Sequence, residues 1–390
     1  MEKLRIGIIG VGNMGSAHAR NFMAGLIPEA ELTAICDIEP IRRDWARENL
    51  PSTVEIYDNT DDFFANAPVD AVVVATPHYL HPVLVQEAFR HGKHALSEKP
   101  AGVYTKAVRE MNAAAEEAAK KGLVFGIMFN QRTNPVYAKA RELVQAGELG
   151  QLKRAVWIIT NWYRGQGYYN SGGWRATWSG EGGGVLLNQD PHQLDLWQWI
   201  CGMPTKVHAF MQFGKGRDIE VENDVTAYVE YENGATGLFV TSTHECPGTN
   251  RLEISGDRGR IIIENDKLIF DRLEVSEPEY SRMTAEKKMT WGTPGCWHCE
   301  IPCPPAPNGH VEVMNNWVSA ILHGTPLLAP GVEGIRGLTI SNAMHLSAWT
   351  GKTVETANMD EDLYYELLQQ HIRESTFVKK NVSLNKDAGI

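Results

Sequence analysis

The chain has 390 residues and a mass of 43.4 kDa, more than one ordinary domain holds, so two domains are expected. Its 43% hydrophobic residues are enough for a sizeable core, and 48 acidic against 37 basic residues give a formal net charge of −11, which argues against a basic face for nucleic acid. No run approaches 18 apolar residues and no signal segment precedes Leu4, so the expectation is a cytoplasmic protein with no membrane span and no nucleic-acid partner.

Residues 4–10 (LRIGIIG), 32–37 (LTAICD) and 71–77 (AVVVATP) are short, nearly unbroken apolar runs, and the segments 14–25 and 40–49 between them have helical character. Strands apolar on both faces, alternating with helices, predict a parallel sheet covered on both sides. Runs at 94–97 and 123–129, with an Ala-rich helix over 105–121 between them, extend the pattern. Residues 1–130 therefore read as a doubly wound α/β domain.

Beyond 130 the pattern changes. Residues 153–160 and 205–213 are strand-like, and two β-rich arms flank Asn233-Gly234, a hairpin signal in which both turn residues are expected at positive φ. Further hairpin signals fall at Gly256-Asp257-Arg258-Gly259 and Glu264-Asn265-Asp266. Residues 131–390 thus read as an α+β domain with a large, mostly antiparallel open sheet. Helices are expected near 136–147, 185–201, 310–323, 332–349 and 361–373, with the last 15 or so residues frayed. Of six cysteines, Cys296, Cys299 and Cys303 cluster beside His298. Zinc sites usually draw a second ligand set from elsewhere and none is visible, so the expectation is a Pro-rich surface loop with free thiols and no metal.

The chemistry starts at Gly10-Val11-Gly12-Asn13-Met14-Gly15, which follows the first strand and opens the first helix. The first glycine permits the tight turn, the second lets the backbone approach a pyrophosphate, and the third allows close packing of helix on strand. The second strand ends at Asp37, 22 residues after Gly15, where a carboxylate suits both ribose hydroxyls and repels a 2′-phosphate. No arginine follows directly, so NAD is expected over NADP. Ala75-Thr76-Pro77-His78 and Glu98-Lys99-Pro100 then lie at the carboxyl ends of later strands, the edge where open α/β sheets bind ligands.

In order along the chain, GxGxxG, ATPH78xxH81, Glu98-Lys99-Pro100, Trp174-Arg175 and the run from Gly182 through Asn188, Asp190 and His192 to Asp195 resemble the Gfo/Idh/MocA oxidoreductases over nearly the whole length. The resemblance implies a Rossmann domain, NAD as cofactor, and Lys99 and His192 bracketing a substrate carbinol beside the nicotinamide. It assigns to the cofactor Gly10, Gly12, Asn13, Met14, Gly15, Asp37, Thr76, Pro77, His78, His81, Glu98, Lys99, Asn130, Trp174 and Arg175. Three positions depart from the usual pattern. Asn188 stands where the last motif commonly has aspartate, Asp190 where it has a small residue, and His78 where asparagine is usual.

Residues 185–199 read as helical, with Pro191 near a helix start or a kink; if the segment is one helix, Asn188, His192 and Asp195 share a face and Asp190 points elsewhere. His192 is then the natural acid/base, Lys99 the group that stabilises a developing alkoxide, and Asn188, which cannot exchange a proton, a hydrogen-bonding or orienting group. Six tryptophans between 157 and 199, with Tyr163, Tyr168 and Tyr169, suit the faces of a sugar or cyclitol, and about half of them are expected in the core. Lys99, Arg132, Tyr163, Asn188 and His192 are the expected substrate contacts. The leading expectation is a dehydrogenase of a sugar, glycoside or inositol. Redox-assisted glycoside cleavage with tightly held NAD, and a nucleotide-sensing regulator without catalysis, are the alternatives. By resemblance, a homodimer or homotetramer is expected.

Overall fold

A computed structural model describes residues 3–380 and residue 382. Six strands, β1 (Leu4–Ile9), β2 (Ala30–Cys36), β3 (Glu55–Tyr57), β4 (Ala71–Val74), β5 (His94–Ser97) and β6 (Phe125–Ile127), form a parallel sheet in the order β3-β2-β1-β4-β5-β6. Val72, Val73 and Val74 are wholly buried, as strands covered on both faces require. The strand order reverses between β1 and β4, so the crevice at their carboxyl ends is the switch point where such sheets bind nucleotides.

The second sheet has nine strands: β7 (Leu152–Ile159), β8 (Lys206–Phe213), β9 (Glu222–Glu230), β10 (Thr236–Ser242), β11 (Asn250–Gly256), β12 (Gly259–Glu264), β13 (Lys267–Leu273), β14 (Cys296–Ile301) and β15 (Val354–Glu355). Their order is β14-β13-β12-β11-β7-β10-β9-β8-β15, and only the β7–β10 pair is parallel. Along β9, Val225, Ala227 and Val229 are buried while Thr226 and Tyr228 face out, a period of two that sets the buried face against the helices Pro191–Cys201 and Gly334–Thr350. On the outer face Phe210 and Tyr228 are exposed. No helix among the described residues is long and apolar enough to cross a membrane.

Four expectations need correction. The β9–β10 connection closes over three residues, with only Gly234 at positive φ (82°); the paired positive-φ turn falls instead at Asn265 (52°) and Asp266 (57°), between β12 and β13. Cys296 to Ile301 is a strand, not a loop. Its alternation puts neighbouring residues on opposite faces, and His298 Nδ1 meets Asp271 at 2.7 Å. Among the described residues no group of three or more His, Cys, Asp or Glu side chains is arranged to hold a metal ion. The helix expected over 185–201 is two helices, Val185–Asn188 and Pro191–Cys201. Proline has no N–H to continue the first, and sits instead in the opening turn of the second. Finally, the helix Gly309–His323 belongs with the first sheet. Val311, Met314 and Trp317 pack into one core with Ile6, Leu32 and Met128.

The frayed tail expected at the end lies outside the described residues from 383 on. Before that point the chain is anchored, because Lys379 Nζ donates to the carbonyl of Arg175 at 2.6 Å.

Candidate active site

The glycine turn is built as its spacing requires. Gly10 has φ +89°, and a Cβ there would lie 2.6 Å from the carbonyl oxygen of Ala75; a Cβ on Gly15 would lie 1.9 Å from that of Gly10. Gly12 is different, since a Cβ there meets nothing within 4 Å. The opening beside Gly12, at the uncapped start of the helix Asn13–Met23, is where free N–H groups and the positive end of the helix dipole fit a pyrophosphate. Asp37 closes the other side. Its carboxylate accepts from Val11 N (2.7 Å) and Glu39 N (2.9 Å) and keeps lone pairs for two ribose hydroxyls. Arg43, which the sequence reading passed over, reaches the Asp37 backbone carbonyl at 2.8 Å. These residues fit NAD. Gly12→Val is accordingly expected to change stability by no more than about 1 kcal/mol and to weaken NADH binding about tenfold or more; thermal melting and an NADH fluorescence titration check the two halves.

Not every residue assigned to the cofactor points at it. His81 is 1% exposed and spans Thr76 O and Pro100 O, each at 2.7 Å, so it fastens two strand-end loops together. Glu98, also buried, is committed to His18 Nε2 at 2.7 Å. Burial opposes its charge, but His18, His310 and Lys99 outweigh burial and hold the carboxyl at about 2. Glu98 thus ties the Lys99 segment to the nucleotide helix. Asn130 Nδ2 lies 3.3 Å from His310 Nδ1 at the same edge. Thr76 and Pro77 lead into a short turn that buries His78, whose ring packs against Trp174 and whose Nδ1 lies 3.2 Å from the Glu181 carbonyl. Arg175 stacks over Trp174 and Tyr168 and donates to the Tyr168 hydroxyl at 3.0 Å.

Lys99 Nζ donates to the backbone carbonyl of Asn188 at 2.7 Å, which brings the lysine to the end of one helix and the start of the next, where His192 stands. Burial pulls the lysine below its usual range and Arg175 adds to this, while Glu98 and Glu181 resist. Burial, then the charge of Lys99, pushes His192 down to about 3. Its ring is therefore neutral at ordinary pH, and its buried Nδ1 has no hydrogen-bond partner among the described residues. Two expectations fail here. Asp195 does not share the site face; it forms a buried ion pair with Arg132 at 2.7 Å, and Arg132 also reaches Glu333 at 2.6 Å. With its guanidinium spent on two carboxylates and buried, Arg132 is not a substrate contact. Trp157, Trp178 and Trp197 are likewise core residues, and Trp199 lies between Arg132 and Arg141. Tyr163 remains half exposed at the rim.

Sequence reasoning missed Glu181 and read little into Asp190. Glu181 is the one charged residue in Gly180-Glu181-Gly182-Gly183-Gly184, and that isolation was its signal. Asp190 is fully buried with Thr241 and Trp162 facing it, yet neither carboxyl oxygen has a regular hydrogen bond among the described residues.

A nucleotide crevice at the sheet's switch point, closed by a partly buried lysine and a neutral histidine, defines a dinucleotide-dependent oxidoreductase. The chain belongs to the Gfo/Idh/MocA family: residues 4–129 match its NAD-binding Rossmann-fold oxidoreductase model and residues 137–262 its C-terminal domain. It is 25% identical over 385 residues to an inositol 2-dehydrogenase of Rubrobacter xylanophilus, covering 93% of this chain and 96% of that one. It is 26% identical over 272 residues to the scyllo-inositol 2-dehydrogenase (NAD(+)) of Bacillus subtilis, covering 67% and 74%. The WlbA dehydrogenase of Bordetella pertussis, solved with NADH and UDP-GlcNAcA, shares the fold at a TM-score of 0.75 and 24% identity, over 90% of this chain and 98% of that one. The protein is an NAD-dependent oxidoreductase.

Proposed function

We propose that the protein oxidises a secondary alcohol on a polyhydroxylated ring, namely a sugar, glycoside or inositol. The observation that carries this reading is the Lys99–Asn188 hydrogen bond, which seats the lysine where the helix bearing His192 begins. NAD, when bound, supplies the acceptor for the hydrogen and electron pair released from the carbinol carbon. His192 takes the hydroxyl proton, which its neutral ring is free to accept. The Lys99 ammonium stabilises the negative charge that grows on the oxygen. Asn188 holds Lys99 through its carbonyl, and its side-chain amide orients. The inositol and sugar-nucleotide names of the relatives support a ring polyol as substrate. As part of the same proposal, the outer face of the nine-stranded sheet is the contact of a homodimer or homotetramer.

The test is to offer NAD with inositols, hexoses, glycosides and sugar acids and to follow NADH absorbance. At least one ring polyol is expected to reduce NAD catalytically. Aglycone release without NADH accumulation would replace the proposal with redox-assisted cleavage, and no turnover of any kind would sink it.

A further inference from the structure

The groups assigned to proton and charge handling, Lys99, His192 and Asn188, include no carboxylate, yet one stands among them. Glu181 is 2% exposed. One of its carboxylate oxygens accepts from the backbone N–H of Ala176 and the other from Asn188 Nδ2, while its own carbonyl meets His78. Ala176 follows Trp174 and Arg175 directly and holds a left-handed backbone, φ 54°, which costs a residue with a Cβ about 1 kcal/mol or more. Asn188 is the residue whose carbonyl seats Lys99. One buried side chain therefore ties the Trp174–Arg175 turn to the seat of the lysine, and the backbone carbonyl of the same residue meets His78.

We propose that Glu181 is a positioning residue of the catalytic centre, setting the Lys99 seat through Asn188 and the Trp174–Arg175 turn through Ala176. The proposal rests on the reading of Lys99 and His192 given above.

The donor inventory explains why a carboxylate is needed. Both partners of Glu181 are N–H groups, which only donate, so each oxygen accepts, and neither partner offers an acceptor to a carboxyl proton. The Asn188 amide is fixed in turn. Its oxygen accepts from the Tyr168 hydroxyl at 3.1 Å and from Gln189 Nε2 at 3.0 Å, leaving its NH2 for Glu181. The charged groups around Glu181 are Arg175, Lys99 and Lys379, which favour its charge, and Glu222, which opposes it; the neighbouring His78 is buried and held well below its usual range. Burial is the largest influence and raises the Glu181 carboxyl above the usual carboxylate range. Protonation of Glu181 on acidification removes the charge that both N–H groups face, and turnover is expected to acquire an acid limb.

Glu181→Gln keeps the size and removes the charge. Its oxygen still accepts from Ala176, but its NH2 then meets the NH2 of Asn188; turning the Asn188 amide moves the same conflict to Gln189 Nε2. With myo-inositol as the first probe, or the best polyol of the substrate test if another turns over, kcat is expected to fall roughly 100-fold and the acid limb to disappear. Melting temperature and NADH affinity, the latter read by fluorescence, should change little. The exchange variant Glu181→Gln/Asn188→Asp restores a donor facing an acceptor and is expected to regain most of the lost turnover. Wild-type kcat with an intact acid limb in Glu181→Gln overturns the proposal, as does an exchange variant no better than the single one. Should Glu181→Gln not fold, the exchange variant decides alone, with turnover supporting the proposal and its lack overturning it. Failure of the underlying reading shows elsewhere, as retained turnover in Lys99→Ala and His192→Ala.

Discussion

Lys99→Ala and His192→Ala are each expected to lower kcat by roughly 10²–10⁴-fold while leaving NADH binding nearly intact. The lysine supplies a cation in a partly buried site, where charge is less screened than in water and its effect on a developing oxyanion is larger. The histidine supplies the only imidazole assigned to take the hydroxyl proton. Neither touches the opening beside Gly12 or the Asp37 carboxylate that fit the cofactor, which is why binding and turnover should separate. The pH profile gives a second check. Burial and Lys99 hold His192 at about 3, so once the acid limb of Glu181 is removed in Glu181→Gln, kcat/KM should show no further limb in the ordinary histidine range. Single-turnover and steady-state rates of the two variants, with NADH titrations alongside, make the measurement. Near-normal kcat in either variant removes that residue from the mechanism.

Asp190→Asn is expected to stabilise the protein increasingly as pH rises. Burial, helped by Glu222, pushes the Asp190 carboxyl up to about 8, although Thr241, Trp162 and Lys99 resist. The folded chain therefore keeps its proton up to about pH 8, while the unfolded chain gives it up near 3.8, the usual value for aspartate. Between those limits the native state binds more protons than the unfolded state, so stability falls with rising pH, by roughly 6 kcal/mol over the interval, and is constant beyond it. Asparagine occupies the same space without titrating. The variant should match the wild type near pH 4 and exceed it progressively up to pH 8, as read from urea midpoints at several pH values. A difference that does not grow with pH would mean that Asp190 is ionised in the folded protein.

The parts of the fold and site that were legible in sequence are those in which a residue's neighbours along the chain decide its role. The glycine turn, Asp37 at the end of a strand and the Ala-rich helix now seen at Thr105–Ala119 are local matters, and their elements lie within a residue or two of expectation. What escaped was fixed by partners far along the chain. Arg132 looks like any arginine near a site until Asp195 and Glu333 are seen to claim it. Cys296 to Ile301 reads as a loop because its β-character comes from pairing with β13. The break at residues 189–190 is legible in Pro191, which opens a new helix and so keeps Asn188 and His192 off one continuous helical face. Glu181 was hidden because only the folded chain brings it to Ala176 and Asn188 at once.

The return of the helix Gly309–His323 to the first sheet has a consequence for synthesis. A ribosome finishes β6 well before it makes Trp317, so the nascent nucleotide-binding half leaves the tunnel with part of its apolar surface around Ile6, Leu32 and Met128 bare. That surface stays uncovered until nearly the whole second sheet has been translated, which ties the final closure of this half to late translation.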